Sequence, residues 1–245
     1  MPEELNGRNS PLRTLLKYPV DLVVDGLNKL GFTADQITYF GLFGNTVSSI
    51  IVTKDVQKHK SERNHWFVNM LILVLPSLLD FLDGSLARKQ GTCNPHLDVA
   101  SDRISEIVAT SAIAITNPDA KNAAIANQIT SVGPSVAKAY AEKQGVIVPE
   151  LEPASYPVRV ATIIAATVFP EHASDILWLQ TAANVFTTVK RFGITTSYKV
   201  EPRLSHEDQV KSGKRLNLLL GMTALSIVTA IAVNQITKFP QHSEQ

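Results

Sequence analysis

Residues 80–102, DFLDGSLARKQGTCNPHLDVASD, set four aspartates and one arginine into 23 positions, directly after the apolar run MLILVLPSLL. A helix that carries the run and continues to Arg88 turns by roughly 100° per residue, so Asp80, Asp83, Gly84, Ala87 and Arg88 fall within an arc of about 140°. One face then holds two carboxylates, two minimal side chains and a guanidinium. Asn94-Pro95 marks a turn, and a second helix beyond it puts Asp98 and Asp102 one turn apart on a common face. Two antiparallel helices joined by so short a loop can aim four carboxylates at one point. Like charges ~4 Å apart repel by about 4 kcal/mol even at an effective dielectric of about 20, so a cation must sit between them. Hard divalent cations prefer oxygen ligands, and a pair of them ~3.5–4 Å apart clamps a phosphoryl group between attacking and leaving oxygens. Gly84 and Ala87 leave room for a flat or bulky ligand to approach the backbone, and the planar fork of Arg88 suits a phosphate oxygen. The plainer alternative makes the aspartates surface residues of a helix hairpin, capping ends and pairing with Arg88, Lys89 and Arg103. Acidic residues at the end of a long apolar helix, interleaved with Gly and Ala at helical spacing, are costly unless used, which favours the site.

The elements that must position these residues are helices. Apolar stretches recur over 37–52, 66–82, 104–116, 123–139, 158–169, 176–189 and 216–236, and no regular series of short alternating runs with Asn-Gly or Asp-Gly turns accompanies them. The chain is therefore expected to be all-α. Only some of the runs reach the ~20 apolar residues of a bilayer-spanning helix, and singly most would also suit a soluble bundle. Runs rich in small residues, IVATSAIAIT and GMTALSIVTAIAV, let membrane helices pack closely. Charged residues make up 18% of the chain, against about 25% in an average soluble domain. Both features favour a polytopic transmembrane bundle. Residues 1–36 form an N-terminal segment in which SPLRTLLKYPVDLVVDGLNKL spaces its Leu and Val along one helix face, fit either for the headgroup layer or for an ordinary core. Thr33 to Gln36 fits a capping box, so a helix should begin there. The acidic start, with no long apolar block behind basic residues, does not read as a cleaved signal peptide.

Net charge is +1, so no global field argues for a nucleic-acid partner. Cys93 is the single cysteine and cannot form an internal disulfide or a cysteine-based zinc site. His96 is a weaker candidate for a metal ligand. The pairs Lys190-Arg191 and Lys214-Arg215 near span ends suit anionic lipid or simple topology marking. With a cytoplasmic N-terminus, most of the Lys and Arg residues from Arg88 onward fall on the cytoplasmic side, whereas the 54–63 loop places Lys54, Lys58, Lys60 and Arg63 outside.

The series Asp80-x-x-Asp83-Gly84-x-x-Ala87-Arg88, followed by Asp98-x-x-x-Asp102, resembles the signature of the CDP-alcohol phosphatidyltransferases, with weaker similarity from about Gly31 to Arg191. The resemblance implies an integral membrane, multi-pass enzyme with six core transmembrane helices over 37–198, in the plasma membrane if prokaryotic, its active site facing the cytoplasm. It implies a homodimer that uses two divalent cations, Mg2+ or Mn2+. The implied reaction moves a phosphatidyl group from CDP-diacylglycerol to a small alcohol acceptor and releases CMP. By the same resemblance Asp80, Asp83, Asp98 and Asp102 hold metal, Asp102 is also the general base on the acceptor, and Gly84, Ala87 and Arg88 bind the CDP moiety. Residues 199–245 lie beyond the core similarity and carry an extra helix and a tail.

The chain departs from the family pattern in the loop: Asn94 stands where the family has glycine, and five residues rather than eight separate it from Arg88. Asparagine tolerates a left-handed backbone better than most residues. GFTADQITYFGL resembles the family's entry to its first span, SVGPSVAKAYAEKQG a basic stretch near the fourth, ASYPVRVATII the start of the fifth and VKRF the end of the sixth. In members whose acceptor carries a phosphate, basic residues on these helices bind it. Lys138 and Arg191 are the matching positions and Arg159 a third, although each also fits a snorkelling cation. Glycerol 3-phosphate is the first expectation for the acceptor and inositol phosphate the second. Two other classes remain open: a non-catalytic relative that binds metal or nucleotide, and, more remotely, a membrane prenyltransferase.

Overall fold

The computed structural model describes residues 11–58, 66–92, 94–146, 148, 153–197 and 205–237, and among them every regular element is helical. The helices are α1 (Pro11–Lys29), α2 (Ala34–Lys58), α3 (Trp66–Gln90), α4 (Pro95–Thr116), α5 (Lys121–Thr130), α6 (Gly133–Lys143), α7 (Tyr156–Val168), α8 (Ala173–Ser197) and α9 (His206–Ile236), with a 3-10 turn at Pro170–His172. The amphipathic stretch expected before the first apolar run is α1. Gly31 ends it at φ 80°, and the bonds Phe32 N–H to Leu27 O (3.1 Å) and Gly31 N–H to Asn28 O (3.1 Å) close a Schellman turn. Two residues later the capping box forms as expected: Thr33 N–H donates to Gln36 Oε1 (3.0 Å) and Gln36 N–H to Thr33 Oγ1 (3.3 Å).

α2 packs against both α3 and α4, and is the element that relates the two acidic helices. Gly44 makes the α2–α3 approach possible, since a Cβ there would stand 3.1 Å from the ring of Pro76 within α3. Asn45 Nδ2 donates to Ser105 Oγ (3.3 Å) on the α4 side. The C-terminal end of α3 is stapled to the α1–α2 turn by Gln90, whose amide donates to Phe32 O (2.8 Å) and accepts from Ala34 N–H (3.2 Å). Lys89 pairs with Asp25 of α1 on the same side.

The apolar run 123–139 forms two helices rather than one. Pro134 lacks the N–H that a continuous helix would use, and its ring displaces the preceding turn, so the chain breaks at Ser131-Val132. Gly133 lies so close to α8 that an added Cβ would meet Thr188 Oγ1 at 2.6 Å.

Several helices are inverted relative to a soluble bundle. α8 turns Gln180, Thr181, Asn184, Thr187 and Arg191 inward and Trp178, Leu179, Val185, Phe186 and Val189 outward. Its interior is tied by side-chain hydrogen bonds: Thr162 Oγ1 donates to Gln180 (2.9 Å), Gln180 to Asn184 (3.0 Å) and Asn184 to Asn127 on α5 (3.1 Å). α9 joins the same polar interior, with Gln128 Nε2 donating to Ser226 O (3.2 Å) while Leu220, Leu225, Ile227, Val228 and Ile231 face outward. Polar glue inside and large apolar side chains outside is how helices associate when lipid surrounds them. The inward polar faces also lower the average hydropathy: of the described helices, only Glu207–Ile236 is long and apolar enough on its own to cross a membrane. α7 and residues 170–196 pass together but bend by 115° at the break.

Candidate functional site

Asp83 leaves the inner face of α3 and is 3% exposed. Thr38 on α2 donates to its Oδ2 at 2.5 Å, and Thr38 is in place because the capping box fixes where α2 starts. One turn earlier, Asp80 lies on the same helix, but its side chain falls outside the described residues. Gly84 is half-buried, and a Cβ added to it would meet only Arg88 Nη1, at 3.7 Å, so bare backbone faces open space beside a guanidinium. Arg88 is exposed and donates to Ser85 Oγ (2.8 Å). Ala87 packs against the cluster formed by Val24, Ile37 and Leu86.

Gly91, at φ 64°, closes α3 and turns the chain towards α4. Asn94 is not left-handed: its φ is −109° and ψ 81°, and its side chain accepts from Leu97 N–H (3.3 Å) as the N-cap of α4, with Pro95 following. The departure from the family's glycine is therefore a gain of a cap, not a substitute for positive φ. His96 and Cys93 lie outside the described side chains. α4 then presents Asp98 at its exposed first turn and Asp102, half-buried, one turn on. One carboxylate oxygen of Asp83 and one of Asp102 are sequestered from solvent.

Sequence reasoning named Arg103 only as a pairing partner and missed Glu106, which together with Arg159 forms the most buried charge cluster of the region. Glu106 Oε2 accepts from Arg103 Nη1 (2.7 Å) and Oε1 from Arg159 Nε (2.9 Å), with each side chain at most 4% exposed. Arg103 also donates to Ser131 O (3.1 Å) at the α5–α6 break, and Arg159 to Ala154 O. The Tyr156 ring lies 5.9 Å from the Arg159 guanidinium. A charged residue amid the small apolar residues of α4 was the available signal, since such a charge persists only when paired or used. The triad connects α4, the α5–α6 break and the start of α7 directly beside Asp102.

The three basic candidates differ in setting. Arg159 is committed inward to Glu106. Arg191 is buried on α8 and donates to Pro134 O (2.6 Å). Lys138 is half-buried on α6, 4.0 Å from Glu142. A groove between α2, α4 and α7 opens beside the triad, polar at Asn45, Ser105 and Glu106 and apolar at Val160 and Ile163.

Among the described residues no three His, Cys, Asp or Glu side chains close on a single point. The donor set nevertheless suits hard cations and not soft ones: all four acidic candidates offer carboxylate oxygen, and two of those oxygens are hidden from water.

The bundle has polar interior faces, and its acidic candidates lie on two helices, α3 and α4, that both pack against α2. The sequence model of the CDP-alcohol phosphatidyltransferases matches residues 32–189, and the chain belongs to that family of transferases of phospholipid biosynthesis, which depend on divalent cations. Two solved structures are similar in fold. Mycobacterium tuberculosis phosphatidylinositol phosphate synthase with CDP-DAG bound superposes with a TM-score of 0.59 at 22% identity, over 72% of this chain and 92% of that one. Its apo form gives 0.56 at 23% identity, over 71% and 94%. No curated protein sequence matches the chain significantly. α9 lies wholly beyond the matched residues.

Proposed function

We propose that this enzyme transfers a phosphatidyl group from CDP-diacylglycerol to a phosphorylated polyol and releases CMP. The observation that carries the reading is the pair of acidic faces, Asp83 on α3 and Asp102 on α4, both held by α2 and each with an oxygen withdrawn from solvent, in a chain of this family. Asp80, Asp83, Asp98 and Asp102 would hold two divalent cations, Mg2+ or Mn2+, which when bound neutralise the phosphate charge and stabilise the charge that builds up during transfer. Asp102 takes the proton from the acceptor hydroxyl. The acceptor oxygen attacks the donor's β-phosphorus, the bond to the CMP oxygen breaks, and the phosphatidyl ester forms. Arg88 holds a phosphate oxygen of the donor, and the bare backbone at Gly84 admits the nucleotide, with Ala87 keeping that face low. The apolar end of the groove between α2, α4 and α7 suits a donor acyl chain.

Lys138 and Arg191 are assigned to the acceptor phosphate. Arg159, held by Glu106, is assigned to the frame that fixes α4 rather than to the substrate. Glycerol 3-phosphate is the acceptor tested first. Inositol phosphate is the second, named for the two synthase structures of similar fold. The enzyme acts as a multi-pass membrane protein, as a homodimer, with its active site facing the cytoplasm; the outward apolar faces of α8 and α9 support the membrane setting. The test is CMP release from CDP-diacylglycerol by the purified chain with each acceptor in turn. The reading requires turnover with one phosphorylated polyol and its loss in Asp102→Asn. Metal binding without turnover on any alcohol would favour a non-catalytic relative, and turnover of a prenyl diphosphate alone would favour the remote alternative.

A further inference from the structure

α9 begins seventeen residues after the end of the family match, yet it is not a detached anchor. It packs against α4, α5 and α6. Leu216 and Leu219 are buried in one cluster with Val99, Val132 and Ala139, and Val99 is the residue next to Asp98. Ser212 donates to Glu142 Oε2 (3.3 Å), and a Cβ added to Gly213 would stand 3.9 Å from the stem of Lys143. These contacts fix both the rotation and the height of the helix. Arg215, immediately before Leu216, is thereby held on the side of α4 that carries Asp98, since Leu216 packs in one cluster with Val99. It is half-buried, its Nε–H is withdrawn from solvent, and that N–H meets no hydrogen-bond acceptor among the described residues.

A guanidinium carries five N–H donors in a rigid fork that matches phosphate oxygens. Hiding one of those donors without an acceptor is unfavourable, and a bound anion would remove that cost. Lys138 lies on the same side, since its neighbour Glu142 accepts from Ser212 one turn before Arg215.

We propose that the C-terminal helix completes the active site, with Arg215 as a phosphate-binding residue that receives an anionic oxygen of a substrate beside Asp98. The inference depends on the transfer reaction above for its substrates. Two phosphates fit this chemistry, the donor's pyrophosphate and the acceptor's monoester, and the experiment tells them apart.

The full-length chain is purified in detergent as wild type, Arg215→Gln and Arg215→Lys, and KM and kcat are measured for CDP-diacylglycerol and for the acceptor separately. Arg215→Gln is expected to raise KM at least tenfold for one of the two, and the substrate affected identifies the phosphate bound. Arg215→Lys, which keeps the charge but loses the fork, is expected to recover only part of the loss. If both variants melt as the wild type does and both KM values stay within twofold, Arg215 is only a counter-charge and the proposal is overturned. Lower melting temperatures with KM unmoved overturn it equally, because they make Arg215 a structural residue alone. Should the wild type release no CMP, the transfer reading fails by itself, and Arg215 is tested instead by calorimetric titration with inorganic pyrophosphate and inorganic phosphate in Mg2+. Tenfold weaker binding of either anion by Arg215→Gln supports the anion site, and unchanged binding of both overturns it.

Discussion

Replacing Glu106 by glutamine removes the charge from the centre of the buried triad while keeping its volume. The carboxylate lies 2.7 Å from Arg103 Nη1 and 2.9 Å from Arg159 Nε, with all three side chains at most 4% exposed. At an effective dielectric of about 20, each attraction is roughly 6 kcal/mol, most of which offsets the desolvation of the three groups. What the substitution exposes is the imbalance: two guanidiniums stay buried around a neutral amide, one of whose ends is itself a donor. One-sided breaking of a buried pair costs about 3–5 kcal/mol. For a chain of this length each kcal/mol lowers the melting temperature by about 2–4 °C, so the expected fall is roughly 6–20 °C. Thermal unfolding in detergent reads it directly. Adding Arg159→Met removes one of the stranded charges, and the double variant should be more stable than the sum of the singles by about 1–3 kcal/mol. A melting temperature for Glu106→Gln within about 2 °C of wild type, or strict additivity in the double variant, would refute the claim that this triad holds α4 to α7.

Three further outcomes follow from local geometry. Gly84→Ala should leave the fold intact and even favour the helix by about 0.5–1 kcal/mol, because the new Cβ meets only the mobile end of Arg88 at 3.7 Å. It should nevertheless raise the KM for the CDP-linked donor tenfold or more, as measured by CMP release. Asn94→Ala should cost about 1 kcal/mol in unfolding free energy through loss of the cap on Leu97 N–H, and Asn94→Gly only a few tenths, whereas a left-handed role would make glycine the better residue. Gly133→Ala should destabilise by about 1–3 kcal/mol, because its Cβ would stand 2.6 Å from Thr188 Oγ1 and 3.3 Å from Thr188 Cγ2, and Gly133→Ala/Thr188→Ala should recover most of the loss in the same melts.

Much of the helical frame was legible in the residues themselves. The Thr33–Gln36 box places the start of α2, and the apolar run through Leu82 continues as one helix to Gln90, as the spacing of Asp80, Asp83 and Arg88 requires. Periodicity alone did not reveal the break at Ser131-Val132, because the apolar pattern runs unchanged through Pro134 and only the missing N–H and the close approach of α8 interrupt it. Asn94 was read for its backbone tolerance when its side-chain oxygen is what matters; sequence shows the residue type but not its φ. Glu106 was passed over, and Arg215 was read only as a lipid or topology marker, for a common reason. Each sits outside a recognisable spacing motif, and its significance comes from helices far away in sequence, α7 for the first and α4 for the second. Average hydropathy likewise understates α8, whose polar residues are gathered on the face that other helices cover.

The central claim is that carboxylates from α3 and α4 converge around a pair of divalent cations. Anomalous diffraction from crystals of the full chain grown with Mn2+ measures this directly. The account predicts two manganese peaks ~3.5–4 Å apart, bounded by Asp80, Asp83, Asp98 and Asp102. Manganese bound elsewhere, or these four side chains free of metal at saturating Mn2+, would contradict it.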